Sequence, residues 1–506
     1  IDLGGWEEDD LIDIDNPFIE GSPGIFGENS MVDDFTEWFN STHDYKVKVE
    51  YSTFGTNEDL YNRLSLGDEY DLVCPSDYLL MKLIAEDKHV EYSDAFWDTE
   101  NKDNHYARFV SPYIDGNDGS KFNSFNFATP QNQNENLHKK AACFMWGTLG
   151  FAYNPEKLVN TEDVATWKML LNENYLRQVT VKDNVRDAYF ATLGIIKSDE
   201  LKGGELDSAA MSRLMNDTSP EIIEKAQDVL KDVKNNVYSF ETDSGKADMV
   251  TGKVIANEQW SGDAVLIMDE AEDEGAELWY SIPEECTNIW FDGWMMLKDG
   301  INGNARKQEA AEAFVNFLSR PDNAVRNMYY IGYTSAIAGD TVLEYMDWNY
   351  GAVFDGEDGE FDETLTDIYE YDLSYFFGDA DAVLYIDARL LDCDYASVTP
   401  ITEEIEGNTY NVYSGLAVNR GRQAFAQYPP ENVAERGVIM LDFGERLSDI
   451  NRMWINVRCL DVKDVAPVTV IVVAVIIALI AAAVIVYKFR YKLLIRHKPK
   501  KGYKKV

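Results

Sequence analysis

Apolar and polar residues alternate along Lys46-Val47-Lys48-Val49-Glu50-Tyr51-Ser52, the period of a half-buried strand. A helix is predicted to follow, beginning at Thr56, with Asp59 in capping-box spacing, and ending at Gly67. The short run Asp71-Leu72-Val73-Cys74 then reads as a buried strand parallel to the first, which makes this stretch a βαβ unit. Ser76-Asp77-Tyr78 falls just past that strand's carboxyl end, where open α/β sheets bind ligands.

A second apolar stretch, Ala141 to Trp146, runs through Gly147-Thr148-Leu149-Gly150 into Phe151-Ala152-Tyr153. It predicts two short strands joined through glycines, crossing between two lobes. Helical periodicity returns at Glu221–Val233 and Asn304–Ser319, the latter closed by Arg320-Pro321. From Asp340 to Pro430 the pattern weakens into an acidic, Tyr- and Gly-rich segment, an expected elaboration, with Gly356–Asp362 as an exposed loop. Val465 to Tyr487 carries no charged side chain. As a helix it would be about 34 Å long, enough for a hydrocarbon core of about 30 Å. Lys488, Arg490 and Lys492 follow it directly, so the expectation is one membrane span with residues 488–506 as a basic cytoplasmic tail and the bulk of the chain outside. Beginning at Ile1 and not Met, the chain reads as processed or truncated.

Charge narrows the partners. The chain has 45 Lys plus Arg against 90 Asp plus Glu, and no acid follows Asp464. The part before the apolar run is therefore more negative than the whole, a field that repels nucleic acid and anionic substrates and gathers cations. The five cysteines, Cys74, Cys143, Cys286, Cys393 and Cys459, have no spacing that implies a disulfide framework or zinc site. The histidines show no metal-ligand spacing, and neither a nucleophile elbow nor a phosphate loop occurs. No cofactor, metal or catalytic residue is expected.

Three islands place a carboxylate beside an aromatic, hydroxyl or amide group: Ser76-Asp77-Tyr78, Asp183-Asn184-Val185-Arg186-Asp187 and Trp290-Phe291-Asp292. Together they suggest a pocket for an organic cation. A buried ammonium needs a carboxylate, its methylenes need apolar walls, and an aromatic face attracts the charge by about 0.5–2 kcal/mol.

In order along the chain, Tyr70-Asp71-Leu72-Val73-Cys74-Pro75-Ser76-Asp77-Tyr78, Met145-Trp146-Gly147-Thr148-Leu149-Gly150, Trp260-Ser261-Gly262-Asp263, Asn288-Ile289-Trp290-Phe291-Asp292 and Ile331-Gly332-Tyr333-Thr334 resemble the extracytoplasmic spermidine/putrescine-binding proteins of ABC transporters. The resemblance covers roughly Asp33 to Val457. It implies a two-lobed α/β fold of the periplasmic-binding-protein type, closing like a hinge. Residues 1–146 and 292–337 would form lobe one, and 147–291 and 338–460 lobe two. It also implies a polyamine ligand, a permease and an ATPase as partners, and no chemistry by this chain. Carried over residue by residue, Asp187 and Asp292 would hold the amines, and Asn184 stands where relatives are often acidic. Trp260 and Trp290 would be apolar walls, Tyr78 and Tyr333 would add ring faces and hydroxyls, and Ser76 a hydrogen bond. Asp77 and Asp183 are expected to serve turns or caps. Two departures stand out: Gly5-Trp6-Glu7 is the only counterpart of an aromatic-rich first turn, and Met440 replaces a glutamine of some relatives. A sensory ectodomain with a separate signalling partner is the alternative, and a carbohydrate-active enzyme a third, since tryptophans and acids also describe glycosidases.

Overall fold

A computed structural model of the chain describes residues 29–115, 137–204, 206–352, 364–405 and 407–459, with four separate positions at 479, 480, 484 and 487. The chain divides into two compact units, Ile1–Leu447 and Ser448–Val506. In the first unit the organising element is the strand Ala142–Tyr153, buried at every position. Its near-continuous apolar sequence suits burial on both faces. Ala142 through Thr148 pair antiparallel with the strand Thr287–Leu297. From Leu149 to Tyr153 the partner becomes Ala256–Trp260, while Trp279–Ser281 pairs along the other edge.

The handover between Thr148 and Leu149 gives the twelve-stranded mixed sheet two parts. In the first, Leu72–Val73 and His89–Val90 lie antiparallel to Thr287–Leu297, and Gly437–Val438 parallel to it. In the second, Val179–Lys182 runs parallel to both Ala256–Trp260 and Ser239–Glu241. Helices Asp77–Ala85, Val185–Ile196 and Ser261–Asp273 each leave the sheet directly after a strand or an isolated bridge. Strand ends and helix starts therefore gather in one place.

Several expectations need correction. The predicted pair of strands joined by glycines is one unbroken strand. Gly147 and Gly150 are there for close packing: a Cβ at Gly147 would lie 2.5 Å from the Trp290 ring, and one at Gly150 2.3 Å from the Ser281 carbonyl. Lys46–Ser52 joins no ladder. The Asn40 amide takes over, accepting from the Val47 N–H at 2.7 Å and donating to its carbonyl at 3.0 Å, while Val47 and Val49 still pack on the core. Leu72–Val73 is antiparallel to its neighbour, so no βαβ unit forms. The intervening helix is as expected, Asn57–Leu66, with Thr56 accepting from the Asp59 N–H and Gly67 left-handed at φ 99°. Pro220–Asn236 and Ala305–Leu318 match the other two predicted helices.

The weakly periodic region after Asp340 contains the helix Asp340–Tyr350 and a separate four-stranded sheet of Asp367–Asp372, Val383–Asp387, Ile401–Ile405 and Asn408–Tyr413. An amphipathic helix, Leu447–Arg458, starts at the last residue of the first unit and supplies the first residues of the second, with Ile450, Met453 and Val457 on one stripe. The five cysteines are free thiols. Gly5-Trp6-Glu7, Gly356–Asp362, the tail 488–506 and nearly all of the expected span 465–487 lie outside the described residues. Among the described residues no helix is long and apolar enough to cross a membrane.

The packing at Gly147 makes a stability prediction. Gly147→Ala should destabilise the fold by about 1–3 kcal/mol through overpacking against Trp290. Gly204→Ala should be near neutral, because no atom lies within 4 Å of its added methyl. Urea unfolding compares the two, and equal midpoints would mean that Trp290 can give way.

Candidate functional site

A cavity of about 250 Å3 opens where the two parts of the sheet meet. Its lining includes the first residues before four helices: Thr56, Ser76, Asn184 and Trp260. Helix starts carry partial positive charge, which favours acidic residues in the first turn. Asp59, Asp77, Asp187 and Asp263 occupy those first turns, the last three of them buried. Three of the helices thus ease the burial of a carboxylate at or near the cavity.

All eight residues singled out in the sequence line this cavity: Ser76, Tyr78, Asn184, Asp187, Trp260, Trp290, Asp292 and Tyr333. Asp292, on the strand Thr287–Leu297, is 9 % exposed, and its Oδ1 accepts from Ser76 Oγ at 2.7 Å. Asn57 fixes that serine from behind, donating to Ser76 Oγ at 3.0 Å and to Tyr78 Oη at 2.9 Å. Asp187 is 5 % exposed, in the first turn of Val185–Ile196. Its N–H donates to Asn184 Oδ1 at 2.9 Å, and Asn184 Nδ2 donates back to its carboxylate. Ser76 and Asn184 therefore spend their polar groups on holding the two carboxylates in place. Burial pushes both carboxyls above their usual range. The Asn184 amide and the Lys182 charge pull Asp187 partly back, and the Ser76 hydroxyl does so for Asp292.

The walls are aromatic. Trp290 meets Tyr333 edge to face with centroids 5.5 Å apart, and its indole N–H points to the Thr148 carbonyl at 3.4 Å. Tyr333 Oη donates to Asp263 Oδ1 at 2.9 Å. Asp77 lines the cavity and also acts as a tie: it accepts from the Tyr78 N–H at 2.6 Å and the Phe291 N–H at 3.3 Å, joining helix to strand. Asp183 lies half-buried at the lining, next to the capping Asn184. Met440, the departure from some relatives, lines the cavity too.

Sequence reading missed the cations. The Arg186 guanidinium is sandwiched 3.5 Å from the Tyr78 ring centre and 4.3 Å from that of Phe443, with Glu58 at 3.8 Å and Asp442 at 3.5 Å. Lys182, wholly buried, lies 4.2 Å from the Trp260 ring centre. An Arg or Lys beside an Asp in sequence reads as a surface pair. The residues that surround these two come from up to 257 positions away (Phe443 from Arg186), so no local signal marks them.

Behind Asp187 stands Glu258, fully buried, with Oε2 accepting from the Lys182 N–H at 3.1 Å and Oε1 unpartnered. Burial, with the Asp187 charge second, pushes its carboxyl up to about 8. In the unfolded chain this group loses its proton near pH 4.3, so between there and about 8 the folded state holds more protons and stability falls as pH rises. Glu258→Gln should remove that slope and raise the melting temperature at pH 7.5 while changing it little at pH 4.5. An unaltered slope would show that Glu258 is ionised in the fold.

Comparison with known proteins places the chain in a family. Residues 30–339 match the family described as bacterial extracellular solute-binding protein. The spermidine/putrescine-binding periplasmic protein of Salmonella typhimurium is 25 % identical over 297 residues, covering 58 % of this chain and 71 % of that protein. Its counterpart in Escherichia coli K12 is 26 % identical over 302 residues, with the same shares. A solved structure from Listeria monocytogenes, described as a spermidine/putrescine ABC transporter, shares the fold, with a TM-score of 0.53 and 20 % identity over 85 % of this chain and 94 % of that one. That likeness gives the architecture of a periplasmic binding protein, and with the family match spanning more than half its length, the chain belongs to the bacterial extracellular solute-binding proteins.

Proposed function

We propose that the cavity takes a protonated polyamine of the putrescine or spermidine class, and that the chain passes it to an ABC permease without doing chemistry on it. One observation carries the reading. Asp187 and Asp292 are both buried, each is held by a neutral donor, and neither forms an ion pair with a protein cation among the described residues. A buried carboxylate left so is costly unless a cation arrives with the ligand. Trp260, Trp290 and Tyr333 supply the apolar and cation–π surface that a methylene chain with terminal amines needs. The names of the relatives point to the same ligands. The charge-free run 465–487 with its basic flank supports attachment by one membrane span, with the cavity extracytoplasmic. The lobe boundaries expected above remain part of this proposal.

Calorimetric titration of the full-length chain with putrescine and spermidine tests it. Asp187→Asn and Asp292→Asn should each weaken binding roughly ten- to a hundredfold, as expected for loss of a charge-assisted hydrogen bond of about 1.5–3 kcal/mol. Trp290→Ala should weaken it as well, and Asp183→Asn much less. Near-native affinity in both carboxylate variants, with melting curves intact, would move the ligand elsewhere.

Binding should also release protons. The empty carboxyls hold their protons to higher pH than usual, whereas primary amines stay charged to about pH 10. An arriving ammonium favours the ionised carboxylates, so affinity should rise with pH across the range, above the usual carboxylate values, in which the empty groups lose their protons. The measured heat should then differ between buffers of different ionisation enthalpy, and identical heats would contradict this.

A further inference from the structure

Lys182 is the last residue of the strand Val179–Lys182, and its side chain has no exposed surface. A buried ammonium must find compensation. Here Nζ donates to the Thr242 carbonyl at 3.0 Å, approaches Asp263 Oδ2 to 3.7 Å and lies over the Trp260 ring at 4.2 Å. Asp263 is further bound by Tyr333 Oη at 2.9 Å and has Lys246 at 3.6 Å. The protein thus places its own ammonium against one of the two tryptophans that wall the cavity, at the end where Asp187 stands.

The remaining charges divide cleanly. Glu58 faces Arg186, Asp77 accepts two backbone N–H groups, Asp263 belongs to Lys182 and Lys246, and Asp183 is half-exposed. That leaves Asp187 and Asp292 as the buried lining carboxylates held, among the described residues, by neither a cation nor a pair of backbone N–H groups. A buried carboxylate without such partners is costly to ionise until a cation reaches it. Two open carboxylates call for two ammonium groups. A third amine extending past Asp187 towards Trp260 would meet the field of Lys182 at low effective dielectric, where like charges repel strongly.

We propose that Lys182 is a resident cation that lies against Trp260 and holds the ligand charge to two, so that the chain selects an aliphatic diamine over triamines and tetraamines. The inference rests on the polyamine reading above and narrows it. Lys182 is a specificity-determining residue here, acting through the field at Trp260 and Asp187.

The test is competitive calorimetry on the full-length chain with putrescine, spermidine and spermine, in wild type, Lys182→Met and Lys253→Gln. Wild type should bind putrescine at least tenfold tighter than spermidine. Lys182→Met keeps the length and apolar stem but removes the charge, and should shrink that ratio at least fivefold, chiefly by tighter spermidine binding. Lys253→Gln, at an exposed lysine paired with Asp248 away from the cavity, should leave the ratio unchanged. Wild-type binding of spermidine as tight as that of putrescine overturns the proposal, whether or not Lys182→Met folds. A folded Lys182→Met with the wild-type ratio overturns it as well. If no amine binds wild type at all, the polyamine reading itself has failed and this inference with it. Amine binding without the diamine preference sinks this inference alone.

Discussion

The structure turns on keeping carboxylates out of water without cations of their own. A lone buried carboxylate is among the most costly groups a protein can hold. Here the cost is offset by helix starts and neutral side-chain donors. Asp187 has both, a first-turn position and the Asn184 amide, and burial still pushes its carboxyl above the usual range. Asp292 has the Ser76 hydroxyl, which Asn57 holds in turn. These carboxylates are poised to ionise and not already satisfied, which is the condition a cation-capturing site has to meet.

The protein's own cations are treated in the opposite way. Lys182 and Arg186 are each stacked on aromatic rings and set beside acids, so neither is left facing the cavity uncompensated. Arg186 also joins segments far apart in the chain. Tyr78 and Glu58 come from the first part of the unit and Phe443 and Asp442 from its end, with the guanidinium between them. A planar guanidinium suits that role, since it stacks and forms ion pairs at once.

What could be read from the sequence follows from which interactions are local. The helix Asn57–Leu66 was legible to its caps, because Thr56, Asp59 and Gly67 act within one turn of the helix ends. The cavity residues were found through short islands whose order along the chain is shared with a family. Strand pairing was not legible. Leu72–Val73 looks the same in sequence whether it pairs parallel or antiparallel, and Lys46–Ser52 has a strand's alternation but loses its partner to the Asn40 side chain. The uses of Ser76 and Asn184 as holders of carboxylates, and the stacking of Lys182 on Trp260, depend on tertiary contacts that leave no periodic trace.

The strand Ala142–Tyr153 has one more consequence, for the order in which the chain is made. Each of its partners, Ala256–Trp260, Trp279–Ser281, Thr287–Leu297 and Thr334–Ser335, lies later in the sequence. During synthesis its twelve residues emerge with no edge to join, and they wait more than a hundred residues for the first one. Pairings of such long sequence separation form slowly and leave apolar surface open meanwhile. The ribosome therefore releases the centre of this molecule well before anything exists to cover it, and the fold can close only when the later strands arrive.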